Sequence, residues 1–232
     1  MLWGLKPVEQ KAAHGLAYDR LRRLIHLGVM LPEERMASER RLAEQIGISR
    51  VTLREALSAL EAEGYVVIRR GATGGAFVAK EGDLIAMAEN QHSAQRADAL
   101  RVQEFREMAE REAALWAALR RTPADLKHLE SALAQLQTAA SLGAIRGFEA
   151  IFHLGVAQAS GNPLLASSIE DAMAAMFLPF PTGDVAAEAA DSFARCTALA
   201  DAIRDRDQSR AGEAMADLLA SYRARVPMRR VA

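Results

Sequence analysis

Between Ser38 and Glu63 the apolar residues return at helical spacing, with one interruption. Leu53, Ala56, Leu57 and Leu60 follow the i, i+3, i+4, i+7 pattern of a helix that buries one stripe. Ser38 and Ser49 are placed to cap two helices, and Gly47 between them can take the positive φ that ends the first. The pattern predicts a short helix from Ser38 to about Ile46, a tight turn, and a second helix to about Glu63 that stops at Gly64. Upstream, His14 to about Gly28 reads as an amphipathic helix with Leu16, Leu21, Leu24 and Ile25 inward. Residues 1–13 read as a loose arm, and Pro32 marks a loop. After Gly64 the period changes to two. Tyr65 to Arg69 reads as a strand and Ala76 to Ala79 as its return, with Gly71, Gly74 and Gly75 at the hairpin tip.

Beyond residue 80 only helical patterns follow. A connector at 81–97 is predicted, with a helical turn or a short helix over Leu84–Glu89. Then come Asp98–Arg121, broken at Thr122-Pro123; Ala124–Leu142, ending at Gly143; and Ile145–Ser160, stopped by Gly161. Asn162 can cap a fourth helix, with Pro163 at its first position, running to about Phe177. A proline-rich loop, 178–183, precedes helices from about Val185 to Asp205 and Asp207 to Val226. The fold class is therefore mainly α. An N-terminal winged helix-turn-helix with a small β-hairpin wing occupies 1–80, and an all-α bundle occupies 98–232.

Composition adds three constraints. Half of the 232 residues are hydrophobic but only 5% are aromatic, which suits close-packed, alanine-rich helices. No apolar run is long enough for a membrane span, the N-terminus lacks a signal-peptide core, and a single cysteine, Cys196, cannot form an internal disulfide. A cytoplasmic protein is the expectation. The net charge of −1 hides an asymmetry: residues 1–80 hold 13 Lys+Arg against 9 Asp+Glu, while the rest carries −5. A basic head on an acidic body fits a nucleic-acid-binding module attached to one that does not touch nucleic acid.

The chemistry of the head sharpens this. Opposite the buried stripe of the second helix lie Arg50, Val51, Arg54, Glu55 and Ser58. Arg50 and Arg54 are one turn apart, and Arg50 and Thr52 sit in the first turn, where free backbone N–H groups favour phosphate. A recognition helix needs this layout: N-terminal residues directed into the major groove, and an apolar rear that fixes the angle. Arginine can bridge guanine O6 and N7 or grip phosphate, and Val51 can touch a thymine methyl. Arg40 and Arg41 on the preceding helix would cross the backbone. Arg69 and Arg70 at the hairpin tip suit phosphate or the minor groove.

Here the chain resembles the GntR family of bacterial transcription regulators, through Ser38-Glu39-Arg40, Leu42-Ala43, Ser49-Arg50, Arg54-Glu55-Ala56-Leu57, Leu60, Glu63-Gly64 and Gly75-x-Phe77-Val78. The resemblance implies DNA contacts at Arg40, Arg50, Thr52 and Arg54 and at a wing glycine, for which Gly74 is the candidate. Glu33 stands where the family usually has glycine, and Ala37 where proline is frequent.

The helical half is similar to the FCD domain of the FadR subfamily, through Glu104-Phe105-Arg106-x3-Glu110, Phe152-His153, Ala159-Ser160-Gly161-Asn162-Pro163-Leu164 and Ala202-Ile203-x3-Asp207. Arg146, Glu149 and His153 share a helix face by spacing. In most FCD domains an aspartate and three histidines hold a metal. The positions carried over are Glu149, His153, Cys196 and Leu218. Glu149, His153 and Cys196 could still ligate a divalent ion such as zinc; Leu218 cannot. The alternative is that Glu149 and His153 pair with neighbours. The resemblance also places an effector carboxylate at Arg106, and Arg146 and Arg195 could add positive charge. An Arg106–Glu110 ion pair is the competing role.

The expectation is a homodimeric regulator, with repression as its action, on double-stranded DNA carrying a palindromic operator. A small organic acid bound in the body would modulate it. A body that only dimerises is the alternative. A Glu149/His153/Cys196 enzyme is disfavoured, because no oxyanion element or glycine-rich catalytic loop accompanies those residues.

Overall fold

In a computed structural model, residues 13–71, 74–177, 180 and 183–225 are described. The arm at 1–12 and the tip residues 72 and 73 fall outside them.

The head begins with α1 (Ala13–His26), then α2 (Glu39–Ile46) and α3 (Arg50–Ala62). The capping follows the sequence. The Ser38 side chain accepts from the Arg41 N–H, Gly47 turns at φ +80° with its N–H on the Ala43 carbonyl, and the Ser49 side chain accepts from Thr52. The predicted stripe of α3, Leu53, Ala56, Leu57 and Leu60, is buried. Leu16 is not inward: it is 58% exposed, and Ala17, one position on, takes the buried site. The hairpin is β1 (Val66–Arg69) and β2 (Gly75–Val78), antiparallel with Val66 opposite Val78 and Arg69 opposite Gly75. Glu33 takes φ +61°, which explains the family's glycine there. A side chain in this conformation costs about 1–2 kcal/mol.

The connector is the largest departure. It is a full helix, α4 (Glu81–Ala94), running almost directly into α5 (Arg96–Arg120). Leu84 and Ala88 are buried in the head's own core. The third member of that stripe, His92, is polar, so the apolar pattern stops early. Its Nε2 meets the Phe177 carbonyl at 2.8 Å.

The body continues with α6 (Pro123–Gln137), α7 (Leu142–Ala159), α8 (Pro163–Ala175), α9 (Val185–Arg204) and α10 (Gln208–Arg225). Thr122 and Asp125 form a reciprocal capping box at the start of α6. The expected run to Leu142 is cut short because Ser141 caps α7 through the Ala144 N–H. Gly143 does not end a helix. It lies in the first turn of α7, where a methyl group would meet Pro32 Cγ at 2.6 Å, and its N–H donates to Glu81 at 2.6 Å. The body core gathers α5, α6, α7, α9 and α10 around Phe152, Leu199, Met215 and Leu218.

Head and body share a packed seam. Phe177 and Phe180, from the loop after α8, belong to the head's core. His26 lies tilted against Phe177 with ring centroids 4.3 Å apart. Its Nδ1 lies 3.1 Å from the Ala174 carbonyl, which can only accept, so Nδ1 carries the proton and Nε2 accepts from the Tyr65 hydroxyl at 3.0 Å. Gly28 crosses Gly147 so closely that a methyl on either would overlap the other's backbone.

Burial, opposed by the Ala174 carbonyl, holds the His26 imidazole down at about 4. In the unfolded chain it titrates near its ordinary 6.5, so the unfolded state binds the extra proton below that point. Stability from this ring is complete above about pH 6.5 and declines as pH falls toward 4. Urea midpoints should therefore drop between about pH 7.5 and 5. A drop of the same size in a His26→Gln variant would assign the effect to other groups.

Candidate nucleic-acid interface and helical-domain site

Arg50 opens α3 and its side chain is exposed. Val51 beside it is 65% exposed, a large apolar side chain left in solvent at the tip of the helix. Thr52 is half-buried and its hydroxyl is 2.8 Å from that of Ser49. Arg54 projects from the next turn with its Nε 2.7 Å from Glu39 of α2. Arg40 is exposed and pairs with Glu44 at 3.1 Å on its own helix. Arg69 stacks over Phe77 at 4.3 Å, which directs it along the wing, and Arg70 is exposed at the end of β1.

These groups frame two adjoining clefts between α2, α3 and the wing, which share Glu39, Leu57, Gly75 and Ala76. Arg35, Ser38, Arg40, Arg50 and Gly74 line the first. Arg54, Ser58, Ile68 and Arg70 line the second, with Glu39 and Glu61. Of the residues predicted to meet DNA, Arg40, Arg50, Arg54, Arg70 and Gly74 line these clefts, and Val51, Thr52 and Arg69 do not. Sequence reasoning missed Arg35. Its guanidinium donates to the Gly74 carbonyl at 2.6 Å, and its backbone forms a bridge with Phe77, so it anchors the wing. The signal was slight: an arginine in a loop between an outward-facing Glu34 and the buried Met36.

Glu39 is one of several acids, with Glu44, Glu55 and Glu61, on a surface that also carries the arginines. Its ion pair with Arg54 is exposed, and such pairs contribute about 0–1 kcal/mol to stability. Its effect belongs to orientation and selectivity. Glu39→Gln should raise affinity for non-specific DNA by about tenfold or less and steepen the salt dependence by roughly one phosphate contact. The ratio of specific to non-specific binding should fall. Equal gains on both kinds of DNA in an anisotropy titration would show that the carboxylate orients nothing.

The body places the other candidates in separate surroundings. Arg106, 2% exposed, donates from Nε to Glu110 at 2.6 Å. The other Glu110 oxygen meets His153 Nδ1, and His153 Nε2 lies 3.1 Å from the Tyr222 hydroxyl. Burial alone would raise the Glu110 carboxyl, but Arg106 and His153 outweigh it and hold the group at about 2. Glu149 accepts from the Ser192 hydroxyl. Cys196 and Leu218 are fully buried within the apolar core. Among the described residues, no three His, Cys, Asp or Glu side chains are grouped so as to hold a metal ion.

Arg146 does not stand beside Arg106 as a second cation for a ligand. It reaches out of α7 to the end of α1, donating to the carbonyls of His26 and, at 3.0 Å, Ile25. Its guanidinium lies over Phe180 at 4.3 Å. Burial pulls it down to about 9, opposed by Glu149 and Glu81. Arg195 is on the surface, paired with Asp191 at 2.8 Å. Of the cations considered, Arg106 alone sits with His153 in a buried polar cluster, and among the described residues its Nη2 has no hydrogen-bond partner. No helix among the described residues is long and apolar enough to cross a membrane.

Two family models match. "Bacterial regulatory proteins, gntR family" covers residues 15–78, and "FCD domain" covers 101–221. Among curated relatives, the HTH-type transcriptional regulator LutR of Bacillus subtilis is 34% identical over 146 residues, covering 61% of this chain and 65% of LutR. The Uxu operon transcriptional regulator of Escherichia coli is 32% identical over 139 residues, covering 58% of this chain and 53% of its own. The chain thus spans less than two thirds of either relative. E. coli McbR/YncC shares the fold at a TM-score of 0.55, with 20% identity over 93% of this chain and 97% of that one. The matched families and relatives are regulators, not enzymes. With the FCD model alone spanning half the chain and the helix-turn-helix model lying over α1 to β2, the protein belongs to the GntR family of bacterial regulatory proteins, in the group that carries an FCD domain.

Proposed function

We propose that this protein is a DNA-binding transcription regulator. It acts as a homodimer on a palindromic operator, and a small carboxylate held in the helical body modulates its affinity. The observation that carries the DNA half is the exposed Arg50–Val51–Arg54 face of α3, buttressed by a buried stripe and flanked by an anchored wing. Two-fold operators require two heads, so the dimer follows from the DNA. The relatives' names, which call them transcriptional regulators, support the reading. Repression is the expected action, by occupancy of an operator that overlaps a promoter.

The observation behind the effector is Arg106. A buried guanidinium nitrogen without an acceptor is costly, and a ligand carboxylate supplies the missing partner in a geometry that suits a planar fork. A second reading has its own observation: Leu218 is apolar and Arg146 is committed to α1, so the body would only dimerise.

Anisotropy titration against the DNA upstream of the gene, at several salt concentrations, tests the first half. Binding that ignores sequence or salt would sink it. A thermal-shift panel of short mono- and dicarboxylates tests the second, with Arg106→Gln as control. Stabilisation lost in that variant excludes the dimerisation-only reading, and no stabilisation by any of them favours it.

A further inference from the structure

The Glu110–His153–Tyr222 chain departs from what the family leads one to expect, and the departure lies at one atom. A carboxylate on His153 Nδ1 can only accept, so that nitrogen carries the proton. The Tyr222 hydroxyl lies 3.1 Å from the other ring nitrogen, Nε2, and engages it. An imidazole whose Nδ1–H is held by a carboxylate is the arrangement that orients a metal ligand through Nε2. Here the nitrogen from which an ion would be bound is occupied by a phenol.

The other carried-over positions agree. Leu218, one turn before Tyr222 on α10, presents hydrocarbon and is fully buried. Cys196 on α9 sits in the same apolar cluster. Glu149 takes the Ser192 hydroxyl, and its charge already acts on Arg146. The Glu110 charge is met by Arg106. A divalent ion entering here would find both carboxylates compensated and its imidazole engaged. The donor set does not fit a metal.

We propose that Tyr222 takes the place of the metal ion, making the helical site a metal-free hydrogen-bond chain, Arg106–Glu110–His153–Tyr222, closed at His153 Nε2. This rests on membership of the FCD group and not on the carboxylate reading above. Tyr222 is a positioning residue: it holds the imidazole ring at Nε2 and, through Glu110, the orientation of Arg106, whose guanidinium also lies 5.5 Å from the Tyr222 ring.

The test uses the full chain, incubated with excess Zn2+, Mn2+ or Ni2+, desalted and subjected to elemental analysis. The expected metal content is far below one ion per chain, and neither the metals nor EDTA should shift the thermal midpoint. Tyr222→Phe frees Nε2, and adding Leu218→His supplies a second imidazole from α10. The double variant should gain a metal-dependent rise in midpoint that the wild type lacks. Stoichiometric metal in the wild-type chain that disappears in His153→Ala overturns the proposal. So does a folded double variant with no gain, since Tyr222 would then not be what excludes the ion. If the double variant does not fold, the wild type and Tyr222→Phe decide: metal uptake equal in both overturns it, and uptake by Tyr222→Phe alone supports it. DNA binding is measured separately in EDTA. Its loss would remove the regulator reading and leave the metal result intact.

Discussion

Truncating Arg50 and Arg54 to alanine together is expected to abolish measurable operator binding while leaving the fold intact. Both side chains are exposed, so neither carries core stability. A bidentate base contact is lost at a cost of about 1–3 kcal/mol, or roughly tenfold or more in affinity per residue. The two share one helix turn, so their losses need not add. The single variants separate the roles. A base reader relaxes the sequence preference at one operator position. A phosphate reader weakens all sequences alike and lowers the salt slope by about one. Arg54, held by Glu39, is expected to behave as the base reader, because a restrained guanidinium presents a fixed fork. Undiminished operator binding by the double variant, with circular dichroism unchanged, would overturn the assignment of α3 as the reading element.

Arg146→Met is expected to have the largest effect on stability. It keeps most of the hydrocarbon stem but removes the donors that satisfy the last carbonyls of α1. The Ile25 carbonyl keeps the Gly28 N–H at 3.0 Å, but the His26 carbonyl, buried against α7, loses its donor. Hydrogen bonds from a charged donor contribute about 1.5–3 kcal/mol each, and breaking a buried charged arrangement costs about 3–5 kcal/mol in all. The loss should fall on the seam between head and body. Chemical denaturation is expected to resolve into two transitions, with the head unfolding first. A single transition at the wild-type midpoint would show that the seam draws its strength from Phe177 and Phe180 instead.

Much of the architecture was legible because it rests on local rules. Ser38, Gly47, Ser49, Thr122, Asn162 and Pro163 all stand at the helix ends where capping chemistry places them. Where reading failed, a residue served a neighbour distant in sequence. Gly143 looks like a terminator, but its small size admits Pro32 and its N–H receives Glu81. His92 ends an apolar stripe on paper and completes it in space, on the Phe177 carbonyl. Arg146 shares a helix face with Glu149 and His153, as spacing required, yet it is spent on α1. The site was legible by residue type and not by partner. Glu110 was visible as a mate for Arg106, but its bond to His153 depends on how α5 packs on α7, and Tyr222 on how α10 returns beside both.

The α4 helix gives the molecule its mechanical character. Leu84 and Ala88 lie inside the head, His92 is fastened to the segment beyond α8, and Glu81 grips the start of α7. The two halves therefore move as a crank and not as beads on a string. Under the proposed function, a rotation of α7 by a few degrees is expected to appear as a change in the orientation of α3. Lengthening α4 by one residue between Ala88 and His92 would shift the helix phase by about 100° and set Leu84 and Ala88 out of register with His92, so operator binding is expected to fall with the α3 surface itself unchanged.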